Sequence, residues 1–183
     1  MNFIIFDLEA TCWETEREAQ GKTQEIIEIG AVKLDEDGNV IDTFGKFIRP
    51  VAHSQLSAFC TKLTTITQVD VNRADLFVDV IEDFKTWIGF YDDEEYLLCS
   101  WGFFDQRALE RNCKYHQLDA EWTKSHINLK EQYPKIVGTY RSIGLRKAVE
   151  REGFEWEGIH HRGISDAINL AKVFDKYLTQ WAY

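Results

Sequence analysis

The sequence has few of the residues that interrupt or cross-link a fold. Only two of its 183 residues are proline, and no low-complexity tract marks a linker or a disordered arm. The four cysteines, Cys12, Cys60, Cys99 and Cys113, lack the C-x-x-C spacing of a zinc site and do not indicate a disulfide framework. No apolar run reaches the length of a membrane span, and no leader pattern opens the chain. We therefore expect one domain over residues 1–183, in a soluble, cytoplasmic protein with no obligatory protein partner.

Positive charge is also scarce. The sequence contains 21 Lys and Arg residues against 31 Asp and Glu residues, which gives a formal charge of −10. A protein that coats nucleic acid through a broad basic face needs many cations to neutralise phosphates, so this balance argues against that class. It leaves room for a small site where metal ions supply the positive charge.

The pattern of apolar residues predicts an alternation of strands and helices. Strands are predicted at residues 3–10, 25–34, 40–49, 96–101 and 126–129. Helices are predicted at residues 76–87, 104–116, 143–152 and 164–178. The segment D-E-D-G-N between the second and third strands favours a hairpin turn. Three strands in a meander, followed by alternating helices and strands, predict an α/β fold with a mixed five-stranded sheet covered by helices on both faces.

Two carboxylates interrupt the first predicted strand. Residues 3–8 are apolar apart from Asp7, and Glu9 follows two residues later. Side chains two apart share a face of a strand, so Asp7 and Glu9 point the same way as Phe3 and Ile5. Burying an uncompensated charge is costly. A salt bridge where the strand leaves the core would explain a lone D-x-E equally well, so the motif is weak by itself.

Two further carboxylates lie on the inner faces of predicted helices. Asp105 lies near the start of a predicted helix, on the same side as its apolar residues. Asp166 has the corresponding position near the start of the last predicted helix. His161 lies five residues before Asp166, in a predicted loop that could bring it over the same site. Each feature has an ordinary explanation, since carboxylates stabilise helix N-termini and single histidines are usually structural.

The combination of these residues favours a metal site. Carboxylates from separate elements can meet at one edge of the sheet, where they would repel one another unless cations neutralised them. Ligation by oxygen atoms alone suits Mg²⁺ or Mn²⁺. The sequence therefore predicts divalent metal binding by Asp7, Glu9, Asp105 and Asp166.

The same segments resemble a known family. D-L-E, W-G-F-F-D and H-R-G-I-S-D are similar to the three exonuclease motifs of the DnaQ-like superfamily, in its histidine-containing (DEDDh) branch. F-D-L-E-A-T-C, E-I-I-E-I-G, F-I-R-P, Q-L-S-A-F-C-T-K-L-T-T-I-T-Q and N-R-A-D-L-F resemble the subgroup of the histone-mRNA 3′-exonuclease and its bacterial sporulation-inhibitor-like relatives. The resemblance implies a ribonuclease-H-like fold. It also implies 3′-to-5′ release of nucleoside monophosphates from single-stranded ends, with RNA favoured, using two Mg²⁺ or Mn²⁺ ions.

The resemblance also implies a role for each matching residue. The metal ligands would be Asp7, Glu9, Asp105 and Asp166. The general base would be His161 rather than His160, because its five-residue offset from Asp166 matches the family. Glu9 would take part in catalysis, and Glu9, Ala10 and His161 would contact the terminal nucleotide.

Aromatic and basic residues are further candidates for substrate contact. Trp13, Phe59 and Trp101 fall in or beside the motifs, where a flat side chain could stack on a terminal base. Core packing is the commoner role for aromatics, and of the three we favour Phe59 as a nucleotide contact. The most basic part of the sequence comprises Arg141, Arg146, Lys147, Arg151 and Arg162. These residues could meet phosphates or simply form a solvated helix face.

Two alternatives remain open from the sequence. The same chemistry could act on DNA or on very short oligonucleotides, because nothing in the sequence reads a 2′-hydroxyl. The chain could also be an inactive nucleic-acid-binding regulatory module. One departure from the subgroup is Thr65, which stands where relatives have glycine and puts any close backbone approach there in doubt.

Overall fold

A mixed five-stranded sheet forms the centre of the protein in the computed structural model, which describes residues 1–92 and 94–183. The strands are β1 (Asn2–Ala10), β2 (Ile26–Leu34), β3 (Val40–Phe47), β4 (Tyr96–Ser100) and β5 (His126–Asn128). Their spatial order is β3-β2-β1-β4-β5. β1 pairs antiparallel with β2 and parallel with β4, and β4 pairs parallel with β5. The strand that carries both D-x-E carboxylates is therefore the central one.

Helices flank this sheet. In the described residues they are α1 (Glu16–Ala19), α2 (Ala58–Thr64), α3 (Gln68–Arg73), α4 (Phe77–Ile88), α5 (Phe104–Tyr115), α6 (Leu129–Ile136), α7 (Leu145–Arg151) and α8 (Gly163–Lys176). Short 3₁₀ turns lie at Phe90–Asp92 and Glu121–Thr123. None of the described helices is both long enough and apolar enough to cross a bilayer.

Two apolar clusters cover opposite faces of the sheet, as the alternation in β1 predicts. Ile4 and Phe6 pack with residues of α4 and α5 on one face. Phe3 and Ile5 pack with residues of α6, α7 and α8 on the other. The predicted mixed sheet with helices on both faces is confirmed. Asp7 and Glu9 continue the series of Phe3 and Ile5, so their side chains lie on the face that α8 covers.

Two glycines bring α8 into direct contact with the sheet. Gly30 in β2 pairs with Asp7 in β1, and a Cβ at Gly30 would lie 1.9 Å from the backbone carbonyl carbon of Gly163. A Cβ at Gly163 would lie 3.0 Å from the backbone oxygen of Asp7. The backbone of α8 therefore rests on the backbone of the sheet at its first turn. This contact positions Asp166 over β1.

Some elements differ from the sequence-based expectations. The third strand ends at Phe47, and Arg49 forms only an isolated bridge to Leu76. The sequence analysis does not predict helices α1, α2, α3 and α6. α6 begins directly after β5 and contains Pro134, which removes one backbone donor from its last turn.

Candidate active site

The carboxyl end of β1 holds a cluster of acidic side chains. Ligand oxygens of Asp7, Glu9 and Asp166 all lie within 4.8 Å of one another. Glu9 and Asp166 are buried, and Asp7 is partly exposed. The strand supplies two of these groups at i and i+2, and the first turn of α8 supplies the third. The structure thus brings together three of the four predicted metal ligands.

The fourth predicted ligand lies beside this cluster. Asp105 is buried in the first turn of α5, and its Oδ1 accepts a hydrogen bond from the backbone N–H of Leu8, at 3.1 Å. Leu8 separates Asp7 from Glu9, so this bond ties α5 to the strand between the two carboxylates. Asp105 is therefore connected to the cluster by a hydrogen bond to the backbone of β1.

The carboxyl groups of the cluster disfavour one another's ionisation. Burial, and then repulsion from Asp105, Asp166 and Glu9, holds the pKa of Asp7 well above its usual range. Burial is also the main cause that raises the pKa of Glu9 to about 8, with Asp166 the next cause. Burial raises the pKa of Asp105 and that of Asp166 to about 7. These four carboxyls resist ionisation at neutral pH. A divalent cation bound among them would stabilise their ionised forms.

An unpartnered oxygen supports the fit of a metal ion. Asp166 Oδ1 is buried without a hydrogen-bond partner, and within the described chain the only other buried side-chain atom in this state is Trp156 Nε1. Buried polar atoms normally find partners, so such an atom needs an explanation. Carboxylate oxygens are the ligands that Mg²⁺ and Mn²⁺ prefer. The residues present fit a divalent metal site.

Two histidines stand at the rim of the cluster. His161 lies two residues before α8 and adopts a left-handed conformation, with φ of 62°. A ring nitrogen of His161 and one of His160 each lie within 4.8 Å of an Asp166 oxygen. The ring of His160 also contacts Trp156, with centroids 4.9 Å apart. Burial lowers the pKa of His161, which favours the neutral imidazole that can accept a proton.

Glu28 is a site residue that the sequence analysis missed. It is buried in β2 directly opposite Glu9, and its Oε2 accepts the backbone N–H of Gly163 at 2.9 Å. Its carboxylate also accepts the Arg162 guanidinium, with an Nη2–Oε1 distance of 3.1 Å. Glu28 therefore fixes the segment that follows His161. The available signal was the interruption of an apolar strand by a carboxylate, the same signal that Asp7 gives.

The predicted nucleotide contacts Ala10 and Phe59 lie on two elements, β1 and α2, that meet at Cys60. The backbone oxygen of Ala10 accepts the thiol of Cys60, at 3.7 Å, which places α2 at the end of β1. Phe59 is half-buried on α2 and lines a cavity with Glu14 and Lys62. Phe59 is thus accessible near the end of the catalytic strand.

Three of the other aromatic and basic candidates, Trp101, Trp13 and Arg162, have structural partners. Trp101 packs against Tyr133, and its indole N–H donates to the backbone oxygen of Ile143 at 3.0 Å. Trp13 meets His53 edge to face, with ring centroids 5.6 Å apart. Arg162 is engaged by Glu28, as described above. Trp101 therefore belongs to the core on the α8 face of the sheet.

Comparison with known proteins decides the family. The family model described as Exonuclease (RNase_T) matches residues 4–174. The chain belongs to the exonuclease family. It is 30% identical over 174 residues to the probable 3′-5′ exonuclease KapD of Bacillus subtilis, covering 94% of this chain and 82% of that protein. It is 32% identical over 176 residues to human 3′-5′ exoribonuclease 1, covering 92% of this chain and 50% of that protein. The chain spans about half the length of this human relative.

Solved structures agree with this membership. The nuclease domain of 3′hExo, a DEDDh family member bound to rAMP, superposes with a TM-score of 0.86 at 31% identity, covering 97% of this chain and 92% of that one. The 3′-exonuclease that recognises the histone mRNA stem-loop gives a TM-score of 0.89 at 30% identity, covering 97% and 81%. The ribonuclease-H-like fold and the 3′-to-5′ exonuclease activity that the motifs predict are confirmed. Members of this family depend on divalent metal ions.

Proposed function

We propose that Asp7, Glu9, Asp105 and Asp166 bind two divalent ions, Mg²⁺ or Mn²⁺, and that the enzyme releases nucleoside monophosphates from single-stranded RNA 3′ ends. The observation that carries the proposal is the meeting of three carboxylates within 4.8 Å around the unpartnered Asp166 Oδ1. We further propose that residues 1–183 form a single exonuclease domain. One continuous sheet with a core on each face supports that proposal.

Divalent ions, when bound, lower the pKa of water and stabilise negative charge on the phosphate and the departing 3′ oxygen. The chain's own contribution is to hold the reacting groups in place. His161 acts as the general base and accepts the proton of the attacking water, because burial lowers its pKa and so favours the neutral imidazole. The left-handed backbone of His161 and the bonds of Glu28 to the next two residues support a fixed position for the ring.

The terminal nucleotide would lie at the end of β1. Glu9, the backbone of Ala10 and His161 surround this position, and Phe59 on α2 offers a flat side chain beside it. Stacking of a base on an aromatic ring contributes roughly 1–3 kcal/mol. A ring in that place would favour an unpaired terminal base over one held in a duplex.

RNA is the favoured substrate because of the relatives. Human 3′-5′ exoribonuclease 1 is named for RNA, and the structural relatives were solved with a histone mRNA stem-loop and with rAMP. All of these are at least 30% identical to this chain over nearly its whole length. The proposal transfers the substrate class only, and not the recognition of a particular stem-loop.

The experiment compares matched RNA and DNA ten-mers labelled at the 5′ end. We expect the RNA to shorten one nucleotide at a time in Mg²⁺ or Mn²⁺, to stay intact with chelator, and to resist cleavage when its 3′ end is blocked. Analysis on a sequencing gel resolves each product. Internal fragments, or equal cleavage of a blocked 3′ end, would contradict an exonuclease acting at 3′ ends, and faster cleavage of DNA would contradict the RNA preference.

A further inference from the structure

A surface groove lies at the carboxyl ends of β4 and β5. Its lining includes Phe103, Asn128, Lys130, Lys135 and Tyr140. Phe103 lies two residues before Asp105, and Asn128 pairs with the last residue of β4. Since β1, β4 and β5 are neighbouring parallel strands about 4.8 Å apart, the groove lies on the order of 10 Å from the catalytic strand. That distance is within reach of a strand whose end occupies the site.

The groove exposes two aromatic side chains. Phe103 is 41% exposed, and Tyr140 is fully exposed. The guanidinium of Arg107 lies over the Phe103 ring, 5.3 Å from its centroid. By contrast, Trp101, only two residues before Phe103, packs into the core. Exposed rings beside a nuclease site are suitable platforms for unpaired bases.

The cations of the groove are free to meet phosphates. Within the described residues, Lys130 and Lys135 of the lining form no ion pair with a carboxylate, nor does Arg107, which reaches the groove through its contact with Phe103. Glu131 is the one acidic residue of the lining. The chain as a whole carries a formal charge of −10. Three unpaired cations around two exposed rings therefore form a local exception to an acidic surface. Aromatic platforms combined with cations that follow the backbone are the features that bind single strands.

We infer that this groove binds the nucleotides that precede the 3′-terminal one, with bases on Phe103 and Tyr140 and phosphates at Lys130, Lys135 and Arg107. The inference deepens the proposed function and rests on it for the direction of the strand. The groove holds the upstream nucleotides while the terminal phosphodiester is cut. Substrates too short to reach the groove lose this binding but still reach the carboxylates.

The test separates binding from hydrolysis. The groove variant is Lys135→Ala/Tyr140→Ala, and the matched control is Lys114→Ala/Tyr115→Ala at the far end of α5, where both side chains are also exposed. Binding of a fluorescein-labelled RNA ten-mer is measured by anisotropy in Ca²⁺. Hydrolysis in Mn²⁺ is measured on the ten-mer and on a dinucleotide. We expect the groove variant to bind the ten-mer about tenfold more weakly than wild type, which corresponds to ~1.4 kcal/mol.

The same variant should show a raised KM for the ten-mer, unchanged kcat, and unchanged kinetics on the dinucleotide. The control variant should match wild type throughout. Equal binding of the ten-mer by wild type and groove variant overturns the inference and reassigns the surface, for example to a protein partner. The groove variant could lose ten-mer binding while wild type hydrolyses no substrate. That result would support the groove and contradict the proposed function.

Discussion

Glu28 and Arg162 form an ion pair beneath the carboxylate cluster, with the Glu28 side chain almost completely buried. The same carboxylate accepts the amide N–H of Gly163, so one side chain on the sheet holds both the residue before α8 and the first residue of that helix. Because His161 directly precedes Arg162, we expect the pair to help position the His161 ring. Catalytic geometry is sensitive to such support, and a displacement of about 1 Å can lower a rate by 10²-fold.

We therefore predict that Glu28→Gln lowers kcat by about 10²-fold and changes KM little. The amide keeps the volume of the side chain but loses the charge that holds the guanidinium. Steady-state kinetics on an RNA ten-mer measures both constants. Glu152→Gln is the control, since the Glu152 side chain is only 6% exposed and pairs with Lys176, which is not part of the carboxylate cluster. A similar fall in kcat for both variants would show general destabilisation and not positioning.

The contact between Gly30 and Gly163 predicts a strong effect of one methyl group. Gly30→Ala would place its Cβ 1.9 Å from the backbone of Gly163, so α8 must move away from the sheet. We expect a loss of at least ~3 kcal/mol in the free energy of unfolding, measured by urea denaturation. Gly45→Ala is a matched control on the adjacent strand, where the nearest atom would be 3.8 Å away. Equal stability of the two variants would disprove the close packing of α8.

Removal of one carboxylate should have opposite effects with and without metal. Without metal, Asp7→Asn removes a carboxyl whose pKa is held high first by burial and then by repulsion from the neighbouring carboxyls. We expect its Tm to exceed that of wild type by about 2–4 °C, equivalent to ~1 kcal/mol. With Mn²⁺, wild type should gain stability by binding the ion, and the variant should gain much less. Asp83→Asn, which affects an exposed pair with Lys46, should respond to Mn²⁺ like wild type.

The two neighbouring histidines allow a direct test of the general base. Both lie near Asp166, but His160 also packs against Trp156. We expect His161→Ala to lower kcat by roughly 10²–10⁴-fold while its affinity for Mn²⁺, measured by calorimetry, changes little. His160→Ala should retain most of the activity. The reverse order of effects would move the general base to His160.

Acid stability should depend on a carboxylate far from the site. Burial opposes ionisation of Glu152, but hydrogen bonds from Lys176, Tyr133 and Tyr177 outweigh it and lower its pKa below the ordinary value of 4.5. A lowered pKa in the folded state adds stability that is fully present above about pH 4.5 and is lost as pH falls through the folded pKa. Denaturation of Glu152→Gln should therefore show a deficit at pH 7 that shrinks toward pH 3. A deficit independent of pH would indicate packing instead.

The sheet was predictable because a two-residue period and short β-favouring runs are local signals. All five strands lie within a few residues of their predicted positions. The short helices α2 and α3 span only two turns or less, which is too little for a helical repeat to stand out. Thr65 ends α2 in a left-handed conformation with φ of 62°, so the threonine adopts the backbone that glycine would adopt more easily. The sequence shows that threonine stands where relatives have glycine, but it does not show the left-handed conformation.

The candidate site was predictable in part. Asp7, Asp105 and Asp166 were identified because each is a carboxylate that interrupts an apolar pattern. The structure brings the predicted set together at the carboxyl end of the central strand. Their individual roles in metal binding stay predictions. Glu28 gave the same type of signal, but its partner is 134 positions away along the chain. Contacts of that separation arise from packing, here from two glycines that admit α8 to the sheet, and no local period encodes them.

The position of α8 in the chain has a consequence for the timing of activity. This helix supplies Asp166, follows His161, and packs on β1 and β2, which are made first during synthesis. A nascent chain can therefore form much of its sheet while its metal-binding set is still incomplete. Docking of α8 completes the candidate metal-binding set and the fold in the same step, so we expect exonuclease activity to begin only after this last helix has been made.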